Sequence, residues 1–140
     1  MKEKRRFLAL DLGERRTGLA ATDETGTIAL PLPRLEHSSM DEVPDLLVPI
    51  LEERRPEVLV VGLPLARDGG MTAMAARILE IVTVLKSRHP GLEIRTEDEA
   101  LTTDLAHDRL KRNGLKAARR KRLADSQAAL AILERHLGWA

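Results

Sequence analysis

The chain has 140 residues, 43% hydrophobic and 32% charged, with a formal net charge of +1, which suits one domain with a real core and excludes a disordered chain. It has no cysteine, so a disulfide framework and a thiolate metal site are excluded and a reducing cytoplasm fits. The charged start, Lys2 to Arg6, leads into only a short apolar stretch, too brief for a signal-peptide core or a membrane span, so a cytoplasmic protein with no membrane partner is expected.

Phe7–Leu12 reads as a buried strand that carries a carboxylate, Asp11, near its end. Segments 17–22 and 27–30 follow at short spacing, with turns at Gly13 to Arg16 and Asp23 to Gly26, so the three form an antiparallel meander that Pro31 and Pro33 end. Asp41 is placed to cap a helix to about Arg55, in which Pro44 is tolerable and Pro49 predicts a kink or break. Val58–Val61 is a β-branched and leucine run, the pattern of a strand covered on both faces and stopped by Gly62-Leu-Pro64. A loop over 66–71 precedes a helix from Thr72 to about Arg88, broken by Pro90-Gly91. A strand over Leu92–Thr96, a helix from Thr102 to Arg112 and a last helix from Arg122 to Leu137 complete the order. A meander joined to alternating α and β elements predicts one α/β domain over 1–140. Its fold is ribonuclease-H-like: a mixed five-stranded sheet, antiparallel then parallel, with helices on both faces.

The charge is unevenly distributed. Residues 1–70 hold 10 basic and 13 acidic side chains, and residues 71–140 hold 13 and 9. Eight basic residues and no acid lie between 109 and 122: Arg109, Lys111, Arg112, Lys116, Arg119, Arg120, Lys121 and Arg122. Such a block suits a polyanion such as nucleic acid; its plain alternative is a solvated loop and helix face. Phe7 and Trp139 are the only aromatic residues, which counts against gripping single strands by stacking bases on rings.

A carboxylate in an apolar strand is costly to bury unless it is paired or bound to a cation, which makes Asp11 a candidate for chemistry. Two distant partners suggest themselves. Glu99 ends the acidic run Glu97-Asp98-Glu99, where alternation sends 97 and 99 one way and 98 the other; spacing alone leaves open which of them faces the site. Asp125 lies early in the last helix, with Ala128 and Ala129 one turn on, small enough to let that face approach the sheet. Its plain alternative is an acid favouring the helix dipole. Three carboxylates with no Cys or His pattern are hard oxygen ligands that suit Mg²⁺ or Mn²⁺. His37, His89, His107 and His136 lack zinc spacing and read as surface or packing residues. Gly13 and Gly18 have P-loop spacing, but Leu19-Ala20 replaces the required Lys-Ser/Thr, so they read instead as a turn leaving room for phosphate or metal beside Asp11.

With these residues in place, the chain resembles the YqgF (RuvX-type) family, described as Holliday junction resolvases or pre-16S ribosomal RNA nucleases. The likeness rests on Ala9-Leu-Asp11-Leu-Gly13-Glu-Arg-Arg-Thr-Gly18-Leu-Ala20, Val60-Val-Gly62-Leu-Pro64-Leu with Asp68-Gly69, Asp98-Glu99-Ala-Leu-Thr-Thr103, and Ala124-Asp125-Ser126-Gln-Ala128. It implies catalytic and metal-binding roles for Asp11, Glu99 and Asp125. It also implies a metal-dependent endonuclease acting on structured RNA or branched DNA, with the 5′ end of pre-16S ribosomal RNA as the leading substrate. Ala100 departs from the family pattern, which has Arg there; Arg15, Arg16 or the 109–122 block are substitutes for that charge. Junction resolution needs two coordinated cuts and hence usually a homodimer, whereas trimming a precursor needs one site. Competing readings are a non-catalytic module that binds nucleic acid or the ribosome, and an actin-like or sugar-kinase ATPase. The latter shares Asp-x-Gly but needs a far longer chain.

Overall fold

The computed structural model describes residues 5–98 and 117–139, with side chains in the last helix described from Ser126 onward. The strands are β1 (Phe7–Leu12), β2 (Arg16–Thr22), β3 (Ala29–Glu36), β4 (Val58–Leu63) and β5 (Glu93–Asp98). The helices are α1 (Val43–Arg54), α2 (Ala73–Arg88) and α3 (Ala117–Leu137), with a 3₁₀ turn at Met40–Glu42 before α1. The sheet order is β3-β2-β1-β4-β5. β1–β2 and β2–β3 pair antiparallel, while β1–β4 and β4–β5 pair parallel, which is the expected ribonuclease-H-like arrangement. Among the described residues no helix is long and apolar enough to cross a membrane.

Alternation along the central strands divides the core into two layers. Leu8, Leu10 and Leu12 of β1, with Leu59 and Val61 of β4, pack on α1 and α2. Phe7 and Ala9, with Val58 and Val60, pack on Ala129, Ile132 and Leu133 of α3. Every residue of β4 is buried, and each buried Val or Leu contributes about 1.5–3 kcal/mol relative to exposure.

Three expectations are corrected. β3 runs through Pro31 and Pro33 rather than ending before them. It is an edge strand, and its register against β2 shifts between Thr17↔Leu35 and Leu19↔Leu32, so Pro33 sits in a bulge opposite Gly18; edges and bulges are the places where a sheet tolerates proline. The cap ahead of α1 is Ser39, not Asp41. Ser39 Oγ accepts from the Asp41 N–H at 3.2 Å, and the Glu42 carboxylate accepts from the Ser39 N–H at 2.7 Å, a capping box. Asp41 instead pairs with Arg77 of α2 at 2.9 Å. Helix α1 runs unbroken through Pro49 to Arg54, because Val43 and Leu47 before it and the partly buried Ile50 and Leu51 after it anchor both halves in one core. Boundaries also move: β4 extends to Leu63, β5 covers Glu93–Asp98, and α3 starts at Ala117. The helix expected from Thr102 to Arg112 lies outside the described residues.

Two turns generate predictions. Arg55 closes α1 in the left-handed region at φ 47°, where a Cβ is strained, and Arg6 Nε donates to its carbonyl at 2.8 Å. Arg55→Gly keeps that carbonyl and relieves the strain; it should raise stability by about 0.5–1 kcal/mol in denaturant unfolding. In the β2–β3 turn, Asp23 accepts from the Thr25 hydroxyl at 2.7 Å and from the N–H groups of Ile28 and Thr27 at 3.1 and 3.0 Å. The Thr25 hydroxyl first, then the Ile28 N–H, hold this carboxyl below its ordinary 3.8. A carboxyl titrating lower in the folded state stabilises above its ordinary value and loses that effect as pH falls through the folded value. Asp23→Ala should therefore lower Tm at pH 7, with the difference shrinking as pH drops below 3.8.

Candidate active site

Asp11 takes the next place after Phe7 and Ala9 in the row of β1 that faces α3, and it is half-buried. Its partner on β2 is Gly18. On the other side the last β1–β4 pair is Leu10↔Val61, so the next step sets Asp11 beside Gly62. Gly62 pairs in turn with Glu97 of β5. Across four strands the row reads Gly18, Asp11, Gly62, Glu97. Both flanks of Asp11 therefore carry no side chain, and both glycines are buried. Glu97 lies two strand spacings away, about 10 Å along the sheet, and faces α3, where its carboxylate is 3.8 Å from His136 Nδ1.

Helix α3 is held over the same end of the sheet. The Ser126 hydroxyl, fully buried, accepts from the Leu19 N–H at 3.4 Å beside the β3 bulge. Ala128 and Ala129 are buried, as their small size predicts for a close approach. Asp125 precedes Ser126 in α3, so its backbone lies near the strand end that carries Gly18. Its side chain, and all of Glu99, lie outside what is described. Among the described residues no group of three His, Asp or Glu has metal-ligand geometry. Asp11, half-buried between two glycines, offers the hard oxygen donor that Mg²⁺ or Mn²⁺ takes.

Arg15 and Arg16 are exposed on the β1–β2 turn, and with Asp11, Gly13, Glu14, Glu36 and Met74 they line a cleft of about 570 Å³. Glu36 and Met74 were not legible as site residues; Glu36 reaches the cleft because β3 continues past its prolines. Arg109, Lys111, Arg112 and Lys116 lie outside the described residues, and Arg119, Arg120, Lys121 and Arg122 are placed by backbone alone in α3. His37 packs through a 2.9 Å bond between Nε2 and Thr17 Oγ1, and His136 Nε2 lies 3.1 Å from Arg95 Nη1, in keeping with packing roles. His107 lies outside the described residues. The segment from Gly13 to Gly18 joins two antiparallel strands and opens no helix, as the failed P-loop pattern predicts. A Cβ on Gly13 would meet the Arg16 carbonyl oxygen at 2.5 Å, whereas one on Gly91 would meet nothing within 4 Å. Gly13→Ala should cost about 1–3 kcal/mol in urea unfolding, against about 0.5 kcal/mol or less for Gly91→Ala.

The family model described as "RuvX: Holliday junction resolvase" matches residues 5–138. A relative from Oleidesulfovibrio alaskensis named "Putative pre-16S rRNA nuclease" is 36% identical over 132 residues, 94% of this chain and 91% of the relative. One of the same name from Thermus thermophilus is 36% identical over 129 residues, 92% and 94% of the two chains. Among solved structures, T. thermophilus RuvC bound to a Holliday junction substrate aligns with a TM-score of 0.59 at 19% identity, covering 97% of this chain and 98% of that one. The fowlpox virus resolvase bound to Holliday junction DNA also gives 0.59, at 10% identity over 94% and 98%. At these identities the two structures bear on the fold alone, which agrees with the sheet order above. The extent of the family match and the level of identity to its members leave one assignment: this chain belongs to the RuvX family.

Proposed function

We propose that this nuclease-family chain is a divalent-cation-dependent endonuclease that trims the 5′ end of precursor 16S ribosomal RNA. The observation that carries the reading is Asp11, set between Gly18 and Gly62 on the face that α3 covers. Asp11, Glu99 and Asp125 would hold Mg²⁺ or Mn²⁺. Glu97 of the 97–99 run lies on the Asp11 face, turned towards α3, and strand alternation carried one residue beyond β5 would put Glu99 on the same side. Bound there, the ions supply a water of lowered pKa and stabilise the oxygen that leaves phosphorus. In the hydrolysis one water oxygen bonds to phosphorus, one P–O ester bond breaks, and the departing oxygen takes up a proton.

The remaining residues act on the strand. Arg15 and Arg16 on the cleft rim provide the positive charge that Ala100 does not, and they hold phosphates on either side of the cut. The 109–122 block extends that grip along the backbone. The family description favours one second reading, a four-way DNA junction as substrate, which requires a homodimer with two sites.

The two substrates are compared in one cleavage assay with Mn²⁺, using precursor RNA and a four-way junction. Asp11→Asn should cut at least about 100-fold more slowly while its Tm and substrate binding stay near wild type. Full activity of that variant would contradict the mechanism. Arg15→Ala should weaken binding uniformly across sequences and reduce the slope of log K against log salt by about one.

A further inference from the structure

A second cleft, of about 580 Å³, adjoins the first, with Glu14 and Met74 lining both. Met40 and Met74 make it apolar, Ser38 and Ser39 contribute hydroxyls, and Ala73 and Arg77 bring in the first turns of α2. The Arg77 guanidinium is fixed in place, with Nη2 2.9 Å from Asp41 Oδ1 and Nη1 3.5 Å from Glu80 Oε2.

Charge decides what fits. The Arg77 guanidinium is already engaged by Asp41 and Glu80, and Glu14 adds a carboxylate to the lining, so a phosphate is disfavoured here. The neighbouring cleft carries Arg15 and Arg16. A polymer whose phosphates follow those arginines has uncharged, planar bases to offer this pocket. Thioethers pack well against aromatic faces, guanidinium planes stack on bases, and hydroxyls meet their polar edges. The volume lies in the range of about 300–1,000 Å³ usual for ligand sites. We propose that this cleft receives one unstacked nucleobase of the substrate strand, from a nucleotide next to the scissile phosphate. The assignment rests on the nuclease reading above. It gives the chain a way to select single-stranded or distorted substrate, because a base held in a duplex cannot enter.

The test uses the full-length Asp11→Asn protein and substrates carrying 2-aminopurine at each position flanking the cut in turn. Binding is followed separately by the anisotropy of an end label. One position should brighten severalfold on binding. Met74→Leu should keep that signal, and Met74→Glu should remove it. Ala73→Glu, which fills the cleft from an exposed position in the first turn of α2, is the second variant should Met74→Glu fail to fold. Normal binding with no position brightening, or brightening that survives both glutamate variants, overturns the base pocket and leaves the nuclease reading intact. A wild-type protein that neither binds nor cuts either nucleic acid overturns both.

Discussion

The apolar side chains of β1 enter both layers of the molecule, three leucines against α1 and α2, and Phe7 and Ala9 against α3. Asp11 occupies the next place in the second set, so the packing that fixes the strand also fixes the carboxylate towards α3. Placing a charge there is costly unless something compensates it. The cost is limited where β1 leaves the core, because Asp11 is only half-buried. The Ser126 bond to Leu19 and the buried alanines hold α3 close over that end of the sheet. The same constraint thus sets strand register and helix approach, and on the proposed reading the place of the cation.

Much of this was legible because it depends on local pattern. The apolar run 58–61, the helix start at Thr72 and the buried strand that carries Asp11 each express a preference that the tertiary structure keeps. The failures have one physical origin, in context the chain order does not carry. Pro31 and Pro33 read as a stop, but only because it was not visible that β3 is an edge strand with a bulge. Pro49 read as a kink or a break; the helix does not break there, because it is anchored on both sides of the proline. The glycine row could not be read in advance either. Gly62 lies about 50 residues from Asp11, and its place beside the carboxylate follows from a parallel register between non-consecutive strands. Glu36 joined the cleft because β3 continues past its prolines, and Met74 because the first turn of α2 packs beside it.

The clefts over this end of the sheet divide the work that a nuclease needs done. Asp11 sets a carboxylate on the face that α3 covers, arginines of the β1–β2 turn stand on the rim, and an apolar recess lies beside them. Gly13 ties these parts together, since its lack of a Cβ lets the turn close against the Arg16 carbonyl. With only two aromatic side chains in the chain, the proposed reading rests affinity on phosphate contacts and shape, and selectivity on which substrates can be deformed to fit.

The central claim is that Asp11 anchors a divalent cation between Gly18 and Gly62. A titration of ¹⁵N-labelled protein with substoichiometric Mn²⁺ tests it without any substrate, because the paramagnetic ion broadens the nearest amides first. The account predicts that the signals around Gly18 and Gly62 disappear before the rest, and that Asp11→Asn removes this selectivity. Broadening centred on other acidic surfaces, such as the Asp23 turn or Glu93, with Gly18 and Gly62 unaffected, would contradict it.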